Sequence, residues 1–176
     1  IFNGQSTLDA ALSSIAGQAE GLEIVAVDQG SGDGSRDILE RAQSHLPIRI
    51  IDNPQGTGWT ENTNIGLGEA RAPLITMLHQ DDIWAPGRAV LLQGMSCAFP
   101  HVDIWVHGAD LIDTTGHPVG KMAPPFGDTA RVLPAEEALS HLLVQNTLAL
   151  PAVMFRRDAA LREGGLDNDL WYTADW

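Results

Sequence analysis

The sequence is short of cysteine, of positive charge and of long apolar runs, and each shortage excludes something. Cys97 is the only cysteine among 176 residues, so no internal disulfide can form. A reducing compartment fits that composition. Lysine and arginine together number 10 against 23 aspartates and glutamates, a formal net charge of −13. Nucleic acid and anionic membrane both need a basic surface, so neither is expected as the main partner. No apolar run reaches the roughly 18–20 residues that span a bilayer. The opening Ile1-Phe2-Asn3 lacks the charged and then apolar pattern of a signal peptide. There is no G-x-S-x-G elbow, no C-x-x-C pair and no H-E-x-x-H, which leaves serine-hydrolase and zinc-protease readings without support. There is also no internal repeat, low-complexity segment or domain linker. The length suits one domain with a sizeable core.

What is present is an alternation of short apolar runs with helical patterns. Leu8, Leu12 and Ile15 recur at helical spacing behind Ser6-Thr7-Leu8-Asp9, which has the form of a capping box. Residues 23–28 form a β-branched run that predicts a buried strand ending at Asp28. Gly30-Ser31-Gly32-Asp33-Gly34 is a turn, after which Ser35 can cap a helix carrying Ile38, Leu39, Ala42 and Leu46. Residues 48–52 predict a second strand, 61–70 a weaker helix, and 74–78 a third strand ending at His79-Gln80-Asp81-Asp82. Beyond Pro86, the pattern predicts a helix over 87–99, one long strand over 102–112, a Pro- and Gly-rich loop over 118–133, a helix over 134–144 and a strand over 149–156. Strands separated by helix-length connections imply βαβ units, with 23–28, 48–52 and 74–78 as parallel neighbours in one sheet.

In an open parallel sheet, ligands bind outside the carboxyl ends of the strands. Asp28, Asp52-Asn53 and Asp81-Asp82 each follow a predicted strand directly, so they are expected along one edge. Two adjacent carboxylates repel each other, and Asp81-Asp82 therefore suits a divalent cation with oxygen ligands. A solvated turn explains the same pair, and an aspartate at a strand end, such as Asp28, often only caps the next turn. His79 could join a metal site, although a lone histidine at a strand end is more often structural. A phosphate ligand on so acidic a chain would need such a cation to bridge the like charges. The glycine-rich turn resembles a dinucleotide fingerprint but has Ser35 where G-x-G-x-x-G needs its last glycine. Of the five tryptophans, Trp105 is expected in the core; Trp84 and Trp171 lie beside acidic segments and could stack on a sugar or base, though core packing is the commoner role.

Taken in order, these segments resemble family 2 glycosyltransferases over essentially the whole chain. Ile1-Phe2-Asn3 is similar to the end of the family's P-x-x-N, and Leu12-Ser13-Ser14-Ile15 with Gln18 to L-x-S-I-x-x-Q. Residues 27–35 resemble V-D-D-G-S-x-D-x-S. Asn53, Gly58 and Asn64-Ile65-Gly66-Leu67 resemble N-x-G…N-x-G-L, and Leu78-His79-Gln80-Asp81-Asp82 with Pro86 resembles L-D-x-D-D…P. Gly164-Gly165-Leu166-Asp167 followed by Ala174-Asp175-Trp176 resembles G-G-F-D followed by E-D-W. Three positions depart from the pattern: Gln29 and His79 each stand where it has Asp, and Ala174 where it has Glu.

The resemblance implies an α/β fold of the GT-A type, a Rossmann-like, open, mostly parallel sheet flanked by helices. The family's first strand would precede Ile1 and a helix would follow Trp176. One domain over 1–176 is expected, with 1–100 as the nucleotide-binding half and 101–176 as the acceptor-side half. The implied activity is inverting transfer of a sugar from a nucleotide-diphosphate sugar, a UDP-sugar favoured, to an alcohol of a saccharide or lipid-linked acceptor, as in cell-wall or polysaccharide synthesis. Asp28, Asn53 and Asp81 would bind the nucleotide, Asp81 and Asp82 would hold Mg²⁺ or Mn²⁺, and Asp175 would be the general base. The implied location is the cytoplasm or the inner face of its membrane. Two other readings keep the fold: a non-catalytic nucleotide-sugar-binding module, to which positions 29, 79 and 174 lend weight, and a sugar-phosphate nucleotidyltransferase. The latter needs a basic residue near its N-terminal loop, and residues 1–20 hold no Lys or Arg.

Overall fold

A computed structural model describes residues 1–170 apart from Pro125, Asp128 and Thr147. The first half alternates helix and strand: α1 (Leu8–Ala16), β1 (Ile24–Asp28), α2 (Ser35–Ala42), β2 (Ile48–Asp52) and α3 (Trp59–Glu69). β1 and β2 pair in parallel, with Asp28 in register with Asp52. The side-chain alternation of β1 decides which helix covers which face. Ala26 packs in a cluster with Leu8, Leu12 and Ile15 of α1 and Ile38, Leu39 and Ala42 of α2. Its neighbour Val27 faces the other way, toward Gly66 of α3, where even an added Cβ would come within 3.6 Å of the valine. Leu39 is 0% exposed at the centre of the first cluster. Leu39→Ala should therefore lower unfolding free energy by about 2–5 kcal/mol in chemical denaturation; a loss below about 1 kcal/mol would mean that this cluster is not the core.

The helix starts differ from the expected caps. Thr7, not Ser6, precedes α1, and no side chain caps it; the Gly4 carbonyl instead accepts from the Thr7 and Leu8 amides at 3.0 and 2.9 Å. Ser35 is the first residue of α2 and is fully buried. Asp33 does the work expected of Ser35, since its Oδ1 accepts from the Ser35 amide and hydroxyl at 2.9 and 2.5 Å.

β3 (Leu74–Thr76) is not a ladder neighbour of β1 or β2. It pairs antiparallel with β7 (Val153–Arg156), and β7 pairs antiparallel with β4 (Ile104–Val106). A cavity of about 1560 Å³ is lined by Val25 and Val27 of β1 and by Leu74 and Thr76 of β3. The expected single parallel sheet is thus a parallel pair and a separate antiparallel trio. α4 (Arg88–Ala98) covers the trio, with Leu92, Trp105 and Met154 forming the second core.

The long strand expected over 102–112 is two strands. It breaks at His107-Gly108, and the second part, β5 (Ala109–Ile112), forms a hairpin with β6 (Pro118–Met122), inside the stretch expected to be a loop. α5 (Ala135–Leu142) lies where a helix is expected; α6 (Arg157–Arg162), directly after β7, has no forecast in the sequence pattern.

Candidate functional site

Three chain segments meet at the carboxyl end of β1. The Asn53 amide donates to the Asp28 carbonyl at 2.8 Å, which joins the ends of β1 and β2. On the other side of β1, the Ile1 nitrogen donates to the Val27 carbonyl at 2.6 Å and the Gln29 amide to the Ile1 carbonyl at 2.9 Å. Gln80 then clasps the next residue with both ends of its amide. Its Oε1 accepts from the Phe2 amide at 2.8 Å, and its Nε2 donates to the Phe2 carbonyl at 3.1 Å. Residues 1–2 are therefore a two-residue bridge from the Asp28 end of β1 to the 79–82 loop.

Asp28 is 5% exposed, and its Oδ1 accepts from the amide and hydroxyl of Ser31 at 3.2 and 2.7 Å. A carboxylate so placed is oriented by the glycine-rich turn. Asn53 donates to Asn62 Oδ1 at 2.9 Å, Asn62 donates to Gln29 Oε1 at 3.1 Å, and Gln29 donates to the Gly56 carbonyl at 2.6 Å. This amide chain closes the 53–56 turn onto β1 and the start of α3. Asp52 is the exception at the edge: it is exposed and ion-paired with Arg36 of α2.

In the 79–82 loop Asp81 is exposed and Asp82 half-buried. Asp82 Oδ2 is itself buried and accepts no hydrogen bond. His79 Nδ1 lies 3.4 Å from it, within ion-pair range for a protonated imidazole but without hydrogen-bond geometry. Burial pushes the Asp82 carboxyl above its ordinary range, with the Asp81 charge adding to the rise and His79 opposing it. Among the described residues, no three acidic, histidine or cysteine side chains gather as a ready-made metal cage. Mg²⁺ and its relatives, however, are commonly held by one or two carboxylates with phosphate and water completing the shell. An exposed carboxylate beside one with an unpartnered buried oxygen fits that kind of site.

Arg88 escapes sequence reasoning. It is 6% exposed at the start of α4, and its Nε donates to His107 Nε2 at 3.0 Å and its Nη2 to Thr76 Oγ1 at 2.9 Å and to the Pro151 carbonyl. The guanidinium lies 4.3 Å from the centroid of the Trp84 ring. Burial lowers its pKa to about 10, and the Asp82 charge opposes the fall. Accepting from Arg88 at Nε2 leaves His107 to donate from Nδ1 to the Gly108 carbonyl at 2.7 Å. The signal in the sequence was slight: a single arginine shortly after Asp81-Asp82 in a chain poor in cations. Trp84 is 7% exposed and covered by Arg88, so it is a core residue and is not open for stacking on a sugar. Trp105, 4% exposed, is core as expected. The fold therefore joins Asp28 and Asn53 at the end of β1 and ties the loop that carries Asp81 and Asp82 to that end through Ile1, Phe2 and Gln80. Asp175, Trp171 and Ala174 lie outside the described residues.

The family model described as Glycosyl transferase family 2 matches residues 1–107. An uncharacterised glycosyltransferase of Nostoc sp. is 32% identical over 118 residues, which cover 64% of this chain and 35% of that protein. Among solved structures, S. aureus TarS 1–349 superposes with a TM-score of 0.80 at 17% identity, over 99% of this chain and 50% of that one. Its complex with UDP-GlcNAc superposes with a TM-score of 0.74 at 18% identity, over 94% of this chain and 46% of that one. The mannosyltransferase PcManGT of Pyrobaculum calidifontis, in complex with GDP-Man and Mn²⁺, gives 0.65 at 18% identity, over 96% and 46%. These likenesses show a mixed α/β fold of the GT-A type. The chain spans about a third of the Nostoc relative and half of the TarS chain.

Proposed function

The chain belongs to glycosyl transferase family 2, and from that premise we propose that it transfers a sugar, with inversion, from a nucleotide-diphosphate sugar to an alcohol of a saccharide or lipid-linked acceptor. The observation that carries the reading is the meeting of Asp28, Asn53 and the Asp81-Asp82 loop beyond the end of β1, joined through Phe2 and Gln80. That TarS and PcManGT have been solved with UDP-GlcNAc and GDP-Man supports a nucleotide-sugar donor, and we favour a UDP-sugar.

In this reading Asp28, oriented by Ser31, takes the hydrogen-bonding edge of the base. Asn53, anchored by Asn62, presents the 53–56 turn to the nucleotide, and Gln29 shapes that turn through Gly56 and Asn62. Asp81 and Asp82 would hold Mg²⁺ or Mn²⁺. An ion bound there would supply positive charge to offset the charge that builds on the leaving diphosphate. Asp175 accepts the acceptor's hydroxyl proton as that oxygen bonds to the anomeric carbon and the nucleoside diphosphate departs. Residues 1–100 form the donor half in this scheme and 101–176 the acceptor half. Among the described residues no helix is long and apolar enough to cross a membrane.

The test is a panel of UDP- and GDP-sugars incubated with the intact protein and Mn²⁺, with release of nucleoside diphosphate as the readout. A UDP-sugar should be consumed, faster when an acceptor alcohol is present. If nucleotide binds but none of the panel is consumed, the non-catalytic binding module replaces this reading.

A further inference from the structure

α3 carries two asparagines that face apart. Residues two positions apart on a helix lie about 200° around its axis. Asn62 accordingly serves the donor edge through Gln29 and Asn53, while Asn64 turns to a segment 102 residues later in the chain. Asn64 Nδ2 donates to the Leu166 carbonyl at 2.7 Å, and the Leu166 amide donates to Asn64 Oδ1 at 2.8 Å. One side chain thus satisfies both backbone groups of one residue, as a strand partner would.

The turn that presents Leu166 is built for this contact. Gly164 and Gly165 have φ of +87° and +76°, a region that side chains rarely enter. A Cβ on Gly165 would overlap Asn64 Oδ1. Arg157, the first residue of α6, ties the same two elements again: its Nε donates to the Leu67 carbonyl at 3.1 Å and its Nη2 to the Gly68 carbonyl at 2.9 Å. After the turn, Asp167 Oδ1 accepts from the Asp169 amide at 2.9 Å, and the chain runs on toward Asp175.

We propose that Asn64 is a positioning residue for transfer: its two-point bond to Leu166 sets the Gly164–Asp169 turn, which lies in the acceptor half and precedes Asp175 in the chain, against the helix whose other face organises the donor edge. This rests on the glycosyl-transfer reading above. Asparagine suits the position because it donates and accepts at once. Aspartate has the same shape but sets an oxygen against the Leu166 carbonyl.

Four variants of the intact protein test this: Asn64→Ala, Asn64→Asp, Gly165→Ala and the double Asn64→Ala/Gly165→Ala. In Asn64→Ala, hydrogen exchange over 163–170 should be about tenfold faster, the size of one net hydrogen bond, with β1 and β2 still protected. The turnover number should fall roughly tenfold or more, the scale of a small misplacement of reacting groups, while donor affinity and donor KM stay at the wild-type value. Asn64→Asp should behave like Asn64→Ala, and the double variant should be no worse than the poorer single one, since both act on one contact. Unchanged exchange, an unchanged turnover number, or donor affinity falling in step with turnover would each overturn the proposal. A wild-type protein that consumes no nucleotide sugar removes the transfer reading and the turnover role with it; the exchange result separates that failure from a clamp that never forms.

Discussion

Asp82→Asn is expected to abolish most of the metal-dependent affinity for a nucleoside diphosphate while leaving the metal-free protein as stable as wild type, or more so. The two effects have opposite signs because one group causes both. The chain carries a net charge of −13, and a diphosphate brought to the 79–82 loop meets Asp81 and Asp82 first. Without a cation the like charges repel, and Asp82 is a poor anion host because its Oδ2 is already buried without a partner. A cation bound there would give that buried oxygen the partner it lacks. Loss of even an outer-shell partner of a metal ligand costs about 10–100-fold in metal affinity, so loss of the carboxylate itself should cost at least that. In chelator, by contrast, asparagine removes a charge that burial disfavours, as the raised Asp82 pKa indicates. The sign is the one for an acid whose folded pKa is raised: ionisation costs stability above that pKa, and a neutral amide escapes the cost. Calorimetry of UDP with Mn²⁺ or EDTA, alongside thermal unfolding in EDTA, measures both effects. Asp81→Asn should weaken binding and raise stability only slightly, since Asp81 is exposed and its loss removes no more than its repulsion of Asp82. Undiminished UDP binding by wild-type protein in EDTA would refute the bridging role outright.

The contrast between the two halves shows what a sequence can disclose. α1, β1, α2 and β2 are legible because each is a local pattern: helical spacing at Leu8, Leu12 and Ile15, a β-branched run over 24–27, and a glycine-rich turn between β1 and α2. Their placement follows from the short crossover, since β1 and β2 are joined by a single helix and must run parallel. The second half depends on partners distant in the chain. β3 reads as one more parallel strand, yet it pairs with Val153–Arg156, nearly eighty residues later, and that partner reverses its ladder. Nothing in Leu74-Ile75-Thr76 encodes that choice. The stretch 102–112 reads as continuous because extended backbone is extended in either sheet; the switch at His107-Gly108 shows only in which carbonyls are reached, the His107 amide donating to Ala152 beside β7 and the Asp113 amide to His117 beside β6. α6, at six residues, is too short to display a helical period.

The candidate site divides the same way. The approach of Asp28 and Asn53 follows from strand ends in register, and the Asp81-Asp82 loop reaches them through Phe2 and Gln80. The chain of amides from Asn53 to Gln29 is invisible in a list of residues, because each side-chain amide can both donate and accept and reveals its partners only when folded. Gln29 gains a physical role from it. An aspartate there could accept from Asn62 but could not donate to the Gly56 carbonyl, so the departure from D-D-G-S is matched by the turn that it holds. Arg88 belongs to the same class: burial of a guanidinium is tolerable only once Thr76, His107 and Pro151 stand around it, and these come from three separate segments.

Asp175→Asn is expected to lower turnover by roughly a hundredfold or more, the scale of a lost general base, with nucleotide-sugar binding nearly intact. Asparagine keeps the shape and most hydrogen bonds but cannot take a proton from the acceptor alcohol. Asp167 and Asp169 are the competing carboxylates, since both precede Asp175 on one segment and both are exposed. Asp167 has a structural occupation: its Oδ1 accepts from the Asp169 amide at 2.9 Å and so holds the turn that follows Leu166. An asparagine at 167 can make that bond equally well through its own Oδ1. Asp167→Asn should therefore retain the turn and stay within a few-fold of wild-type turnover, whereas Asp167→Ala should lose the turn and resemble Asn64→Ala, with faster exchange over 163–170. Steady-state rates for the three variants with a consumed donor and an acceptor alcohol decide among the roles. Near-wild-type turnover in Asp175→Asn together with collapse in Asp167→Asn would transfer the base to Asp167. Near-wild-type turnover in both Asp175→Asn and Asp167→Asn would leave Asp169, also exposed, as the carboxylate of this segment to take the proton, and Asp169→Asn would then be the variant that loses turnover.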